Sequence, residues 1–187
     1  MAKKQWKAGN MIYPIPALLI SSGTKDGRYN MMTAAWTGTI CSDPPMAYIS
    51  LRPERYSHDI IKDTGEFVIN LTTRKLLKVA DEAGVKSGRD IDKFKELGVT
   101  PVKGTLEFAP MIKESPVSIE CRVKDIVPLG SHDMFIGEVV SVFADDEYLD
   151  SSGAFDLRET SPICYCHGAY FELGKRLGKF GFSVQKK

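Results

Sequence analysis

The sequence of 187 residues has little of what marks several protein classes. Charge of neither sign dominates: 25 Lys and Arg stand against 24 Asp and Glu, a formal net charge of +1. The basic excess of a nucleic-acid binder is missing, so no nucleic-acid partner is expected. Near the start, "MIYPIPALLI" is apolar but short and broken by Pro14 and Pro16. It suits neither a bilayer span nor a signal-peptide core, so a cytoplasmic location without membrane contact is expected. Cysteine is scarce, at four, and a disulfide framework is not called for. No Gly-x-Ser-x-Gly elbow, no Gly-x-x-x-x-Gly-Lys loop and no Gly-x-Gly-x-x-Gly fingerprint occurs, which removes the signatures of an esterase elbow, a P-loop and a Rossmann domain. Serines, three histidines and carboxylates are present, so a triad assembled in space stays open.

Hydrophobic content of 43% is that of a folded chain, and 187 residues suffice for one domain, 1–187, with a sizeable core. Strand signals dominate. In "VSIECRVKDIV" (Val117 to Val127), Val117, Ile119, Cys121 and Val123 alternate with Ser118, Glu120, Arg122 and Lys124. That pattern predicts an antiparallel strand with one exposed face. "PLGSHD" then reads as a turn and "MFIGEVVSVF" as a strand buried on both faces, so the pair forms a hairpin. Further strands are expected at Ala17 to Ser22, Met32 to Ile40, Met46 to Leu51, Phe67 to Leu71 and Ile163 to Leu173. Helices are fewer: one capped by Ser57 and running through Lys62, with Gly65 beyond it; one from Arg74 to Ala83, closed by Gly84; one from Ile91 to Leu97, capped by Asp90. The segment from Lys86 to Gly104 reads as an excursion. "KRLGKFGFSVQKK" reads as a tail lying on a surface. Many strands with short outer helices predict a mainly β, antiparallel barrel.

Cys164, Cys166 and His167 are close in sequence, but on a strand the two thiols point to one side and the imidazole to the other. No second Cys/His cluster adds ligands, so no metal site is expected and the cysteines read as buried free thiols. The stretch "RYNMMTAAWTGTICSDPPMAYISLRPERYSHDII" is more informative. It sets Thr33, Thr37, Thr39 and Ser50 among apolar residues and ends in Arg52, Arg55, Tyr56, Ser57 and His58. Buried hydroxyls need partners. A helix start with free N–H groups, a hydroxyl and guanidinium neighbours suits a phosphate monoester. It also suits a plain capped surface helix. Small residues (Ala34, Ala35, Gly38) on the preceding strands let a ligand approach the backbone, with Asn30, Thr33 and Trp36 beside them. A phosphate at one end and a flat polar ring at the other describe flavin mononucleotide (FMN).

At these residues the chain resembles the flavin reductase-like proteins with an FMN-binding split barrel, in particular the flavoredoxin branch. The likeness runs from "NMMTAAWTGTICSDPPMAYISLRPERYSHDIIKDTGEFVINL" through "SGRDIDKFKELGVTPVKG", "SPVSIECRV", "FIGEVV" and "YFELGKRLGKFGFS". It implies a six-stranded Greek-key split barrel, a homodimer and FMN near the dimer interface. Carried onto this chain, it puts Asn30, Met32, Thr33, Ala34, Trp36 and Thr37 at the isoalloxazine ring. Ser50, Leu51 and Arg52 fall at the ribityl chain and phosphate, and Tyr56, Ser57 and His58 at the phosphate. It brings Lys86 and Phe94, in "DKF" at Asp92 to Phe94, to a flavin held mainly by the other subunit. Many members carry Gly-Asp-His in the hairpin turn for nicotinamide binding. This chain has Gly130-Ser131-His132 followed by Asp133, which keeps His132 and displaces the Asp. His132 reads either as a nicotinamide contact or as an exposed turn residue.

The flavin supplies the redox chemistry and the protein binds and tunes it, so no dedicated acid or base is expected. Several readings compete: an NAD(P)H-dependent reductase, with NAD(P)H as substrate; an electron carrier serving a redox protein partner; a ferric or metal-complex reductase using Cys41 and His132; and a barrel that only binds a phosphorylated heterocycle.

Overall fold

A computed structural model describes residues 2–184. Apolar alternation drives the chain into strands: β1 (Ile15–Pro16), β2 (Leu18–Gly23), β3 (Tyr29–Ala34), β4 (Thr37–Ser42) and β5 (Pro45–Leu51). Helix α1 (Tyr56–Thr64) follows, then β6 (Glu66–Asn70), α2 (Leu77–Val85), α3 (Lys93–Glu96), β7 (Pro101–Val102) and β8 (Met111–Ile112). The long hairpin β9 (Val117–Pro128) and β10 (Asp133–Ala144) comes next, then the short β11 (Ile163–Cys166) and β12 (Ala169–Glu172).

The main sheet runs β3-β2-β6-β9-β10-β5-β4, with every pairing antiparallel. Its edge strands, β3 and β4, are joined only by Ala35 and Trp36. Edges tethered that closely force the sheet to curl on itself, as in a barrel. At the seam the Ser50 N–H donates to the Trp36 carbonyl at 2.8 Å. Counted as one bent strand, β3 and β4 make this the expected six-stranded barrel. The connection from β5 through α1 returns the chain beside β2, which is the Greek-key step.

Side-chain alternation on β2 and β3 builds two cores at once. Ile20 and Met32 point inward with Ala34, Ile49, Leu51, Phe67, Cys121 and Phe135, joined by Ile61 of α1. Their neighbours Leu19 and Met31 point outward and pack with Leu76 and Ala83 around α2, Phe94 of α3, and Ile112. A period of two gives both faces of a strand a partner when helices cover the outside.

Several expectations are corrected. Ser57 does not cap α1: Arg55 holds that position without a side-chain bond, and Gly65 ends the helix in a left-handed conformation at φ 70°. A 3-10 turn, Arg74–Leu76, precedes α2, and α2 runs on through Gly84 to Val85. Asp92, not Asp90, caps α3, its carboxylate accepting from the Lys95 N–H at 3.2 Å. The polar face of β9 is partly buried, because residues 104–110 cross it: Glu120 accepts from the N–H groups of Thr105 and Leu106. β10 is not buried on both faces, since Val140, Val142 and Phe143 are exposed. The expected strand Ile163 to Leu173 folds into a hairpin, β11 to β12, with His167 at φ 48° in the turn. Of four free thiols only Cys121 is buried, while Cys41, Cys164 and Cys166 are partly exposed. Leu177 and Phe180 of the tail are fully exposed rather than laid on a surface, and Gln185, Lys186 and Lys187 lie outside the described residues.

Candidate functional site

The bend at Ala35–Trp36, the end of β5, the start of α1 and the excursion after α2 converge on one side of the barrel. They enclose a groove in three adjoining parts. The first is a basic cavity of about 590 Å³ lined by Asn30, Met32, Arg52, Glu54, Arg55, Tyr56, Ser57, Lys86, Ser87, Gly88 and Lys93. The second, of about 240 Å³, shares Met32, Arg52 and Arg55 with it and adds Thr33, Ala34, Ala35, Trp36, Ser50, Leu51, His132 and Tyr165. The third, of about 550 Å³, shares Trp36, Ser50, Arg52 and His132 and adds Tyr48 and the hairpin turn. Ligand sites commonly span about 300–1,000 Å³.

The basic end is held rigidly. Asn30 is buried on β3 and its amide donates to Ser57 Oγ at 2.8 Å, which fixes α1 against the strand. Among the described residues no acceptor is recorded for the Ser57 hydroxyl proton. Arg55 donates to the Gly84 carbonyl at 2.9 Å. Lys86 is held by Glu82 at 2.5 Å. Gly88 packs against Asn30 so closely that a Cβ would lie 2.0 Å from Asn30 Oδ1.

Lys93 lies within the "DKF" stretch that the resemblance brings to a flavin but was not singled out. It is 3% exposed and donates to the Ala83 carbonyl at 2.7 Å. Among the described residues it has no carboxylate partner within salt-bridge distance. Burial, and then the charge of Arg55, brings its ammonium down to about 8. A buried cation lacking a counter-ion is costly, and an anion in this cavity would supply the missing charge. Its position in "DKF", beside the predicted Phe94, was the available signal.

Of the predicted residues, Asn30, Met32, Arg52, Tyr56, Ser57 and Lys86 meet at the basic cavity, and Thr33, Ala34, Trp36, Ser50 and Leu51 meet at the second part. Three lie elsewhere. Thr37 is turned to donate to the Tyr48 carbonyl at 2.7 Å. Phe94 lies in the outer core and lines a neighbouring cavity. His58 is buried with Nε2 2.9 Å from Asp133 Oδ2 and its ring edge-on to Phe135 at 5.1 Å. The displaced Asp133 thus ties the hairpin to α1. His132 is partly buried in the groove wall, with Nδ1 2.9 Å from Ser131 Oγ. Burial, then the Arg52 charge, holds its pKa below the ordinary histidine value, with Glu54 opposing. Cys41 lies outside the groove lining, its thiol donating to the Asp43 carbonyl at 3.4 Å. Among the described residues no group of three metal-ligating side chains forms, and no helix is long and apolar enough to cross a membrane.

A curled antiparallel barrel with this groove is the architecture of the flavin reductase-like split-barrel proteins. The chain belongs to that family: residues 10–174 match the model of the flavin reductase like domain. Flavoredoxin of Desulfovibrio vulgaris (Miyazaki F) superposes with a TM-score of 0.91 at 34% identity, over 98% of this chain and 100% of that one. Flavoredoxin from Methanosarcina acetivorans gives 0.88 at 26% identity, over 99% and 100%. A high molecular weight rubredoxin of Moorella thermoacetica is 30% identical over 123 residues, 65% of this chain and 53% of that protein, so the match spans about half its length.

Proposed function

We propose that the chain is a single FMN-binding split-barrel domain that passes electrons through bound FMN, taking them from NAD(P)H or from a redox protein partner. The observation that carries this reading is the continuity of the groove from a four-cation cavity to a wall of Ala34, Ala35 and Trp36. Lys93, buried without a carboxylate, fits an anionic ligand, and a phosphate monoester brings about −1.5 to −2 charges at neutral pH.

The residues divide the work. Arg52, Arg55, Lys86 and Lys93 hold the phosphate, with the Ser57 hydroxyl among them. Ala34 and Ala35 keep the wall low enough for a flat ring to lie against backbone, and Trp36 and Ser50 border it. FMN, when bound, supplies the hydride and single-electron chemistry. His132 borders the same wall and contacts the nicotinamide of an incoming NAD(P)H; held below the ordinary histidine pKa, it does so as the neutral imidazole.

The likeness to flavoredoxins and to a high molecular weight rubredoxin favours a second reading, an electron carrier fed by a protein. The protein works in the cytoplasm as a homodimer in either case. The exposed apolar residues Val140, Val142 and Phe143 on β10 support the dimer, which sedimentation of the purified chain would test.

The deciding experiment is a visible absorption spectrum followed by anaerobic addition of NADH and then NADPH. Flavin bands that bleach rapidly support the reductase. Bands that persist support the carrier. If no bands appear even after FMN is added, the flavin reading fails.

A further inference from the structure

The hairpin β11–β12 lies outside the barrel, in a small sheet ordered β1-β11-β12. It is pinned to the approach to α2: Thr73 bridges Pro162, and the Arg74 N–H donates to the Ser161 carbonyl at 2.9 Å. Two tyrosines pair across it. Tyr165 lines the second part of the groove with Trp36 and Ser50. Tyr170 is its direct cross-strand partner, with ring centroids 5.7 Å apart at 67°, which is edge contact between aromatic rings. Tyr170 also lines a surface hollow of about 550 Å³ with Arg74, Lys75, Leu77, Lys78 and Asp81. The hollow shares no lining residue with the groove, so the tyrosine pair is what joins them. We infer that this hollow is the docking surface for an acidic one-electron carrier protein, and that an electron crosses between carrier and groove through the Tyr165–Tyr170 pair. The inference rests on the flavin reading above and names the face that a redox partner uses.

The surface has the charge for such a partner. The Arg74 and Lys78 side chains are 74% and 89% exposed, and Lys75 is exposed between them. The carboxylates that face these cations are engaged. Asp81 accepts from the Tyr170 hydroxyl at 3.2 Å, Glu172 pairs with Arg74 at 3.3 Å, and Glu82 pairs with Lys86 and Lys78. Beyond Glu172 the chain leaves as an exposed segment, residues 173–184, which holds Lys175, Arg176 and Lys179 and no acid. Leu77 and Phe171 add exposed apolar area. Redox encounters use small interfaces, and complementary charge steers them. Burial, then the bond to Asp81, pushes the Tyr170 phenol up to about 12, so at neutral pH it keeps its proton and its hold on Asp81. In the transfer one electron passes from reduced flavin to the oxidised metal centre of the carrier. No bond forms or breaks between the proteins, and any proton released goes to water.

Stopped-flow mixing of the flavin-loaded, chemically reduced protein with an oxidised rubredoxin, a small acidic one-electron carrier, tests this. Transfer should be fast at low ionic strength and slow as salt rises. Lys75→Glu combined with Lys78→Glu should slow it at least about tenfold at low salt, while reoxidation by a neutral quinone is unchanged. Tyr170→Leu should slow transfer at every salt concentration, and Tyr170→Phe, which keeps the ring, should restore it. A transfer rate untouched by the charge reversal would overturn the docking surface, and a wild-type rate in Tyr170→Leu would overturn the path; both would leave the flavin reading standing. A reversal that alters the sedimentation of the protein alone would make the hollow an interface between copies and overturn the inference as well. If no flavin bands appear after FMN is added, the flavin reading fails and this inference with it.

Discussion

The two ends of the groove are built in opposite ways. At the basic end four polar side chains are anchored before any ligand arrives: Asn30 to Ser57, Arg55 to Gly84, Lys93 to Ala83, and Lys86 to Glu82. At the hairpin end His132 sits in a four-residue turn, and its recorded bond is to the adjacent Ser131. Anchored donors lose little freedom on binding, so the basic end is suited to affinity. A turn can adapt to a second molecule that comes and goes, so the hairpin end is suited to turnover. The link between them is the His58–Asp133 pair, which joins the first turn of α1 to the first residue of β10.

The contrast can be broken at the anchored end with the largest effect. Arg52→Ala combined with Ser57→Ala removes one charge-assisted bond and one hydroxyl, and FMN affinity should fall by about 3 kcal/mol, over a hundredfold. Flavin fluorescence titration reads it, and an unchanged dissociation constant would take both residues out of the site. Next is Gly88→Ala. Its methyl would meet Asn30 Oδ1, so overpacking should destabilise the fold by about 1–3 kcal/mol in a thermal melt and weaken FMN with it.

Lys93→Met sharpens the contrast by separating stability from binding. The folded pKa of Lys93, about 8, lies below its ordinary 10.5. Between those values the unfolded chain holds a proton that the folded chain has lost, so stability declines as pH falls from 10.5 to 8 and stays low beneath. The apo variant should therefore melt a few degrees higher at pH 7, by about 1 kcal/mol. FMN should bind it less tightly, and the wild-type affinity should decline as pH rises through 8, a dependence the variant lacks. A melt unchanged by the substitution would show that the cation carries no such strain. The smallest effect belongs to the adaptable end. His132→Ala should slow flavin reduction by NAD(P)H about tenfold, near 1.4 kcal/mol, with FMN still bound. Equal stopped-flow rates would reduce His132 to a turn residue.

Much of the barrel was legible because alternation is a local property. The strands at Leu18–Gly23, Pro45–Leu51 and Glu66–Asn70 fall within a residue of the segments expected, Ala17 to Ser22, Met46 to Leu51 and Phe67 to Leu71. The bend at Ala35–Trp36 was not, because a strand that changes edges keeps its alternation and its sequence carries no break. The buried face of β9 was misread for a related reason: Ser118 and Glu120 are polar, and only the distant crossing of residues 104–110 gives Glu120 its backbone donors. Of the two roles read for Ser57, helix cap and phosphate contact, the cap fails. Its type fits a cap, but its partner is Asn30, 27 residues away.

By itself the sequence determined the mainly β class, the basic cluster at the start of α1 and the family to which the chain belongs. The first two follow from side-chain type and short-range spacing and the family from the resemblance of long stretches of sequence, and none of these needs knowledge of the fold. Only the tertiary structure decided which of the marked residues meet. It brought Lys93 under the basic cavity, turned His58 away to Asp133, and set Tyr165 between the groove and Tyr170. Burial and partnership are relations between distant segments, and a lysine looks the same in sequence whether it ends in water or beneath an anion site.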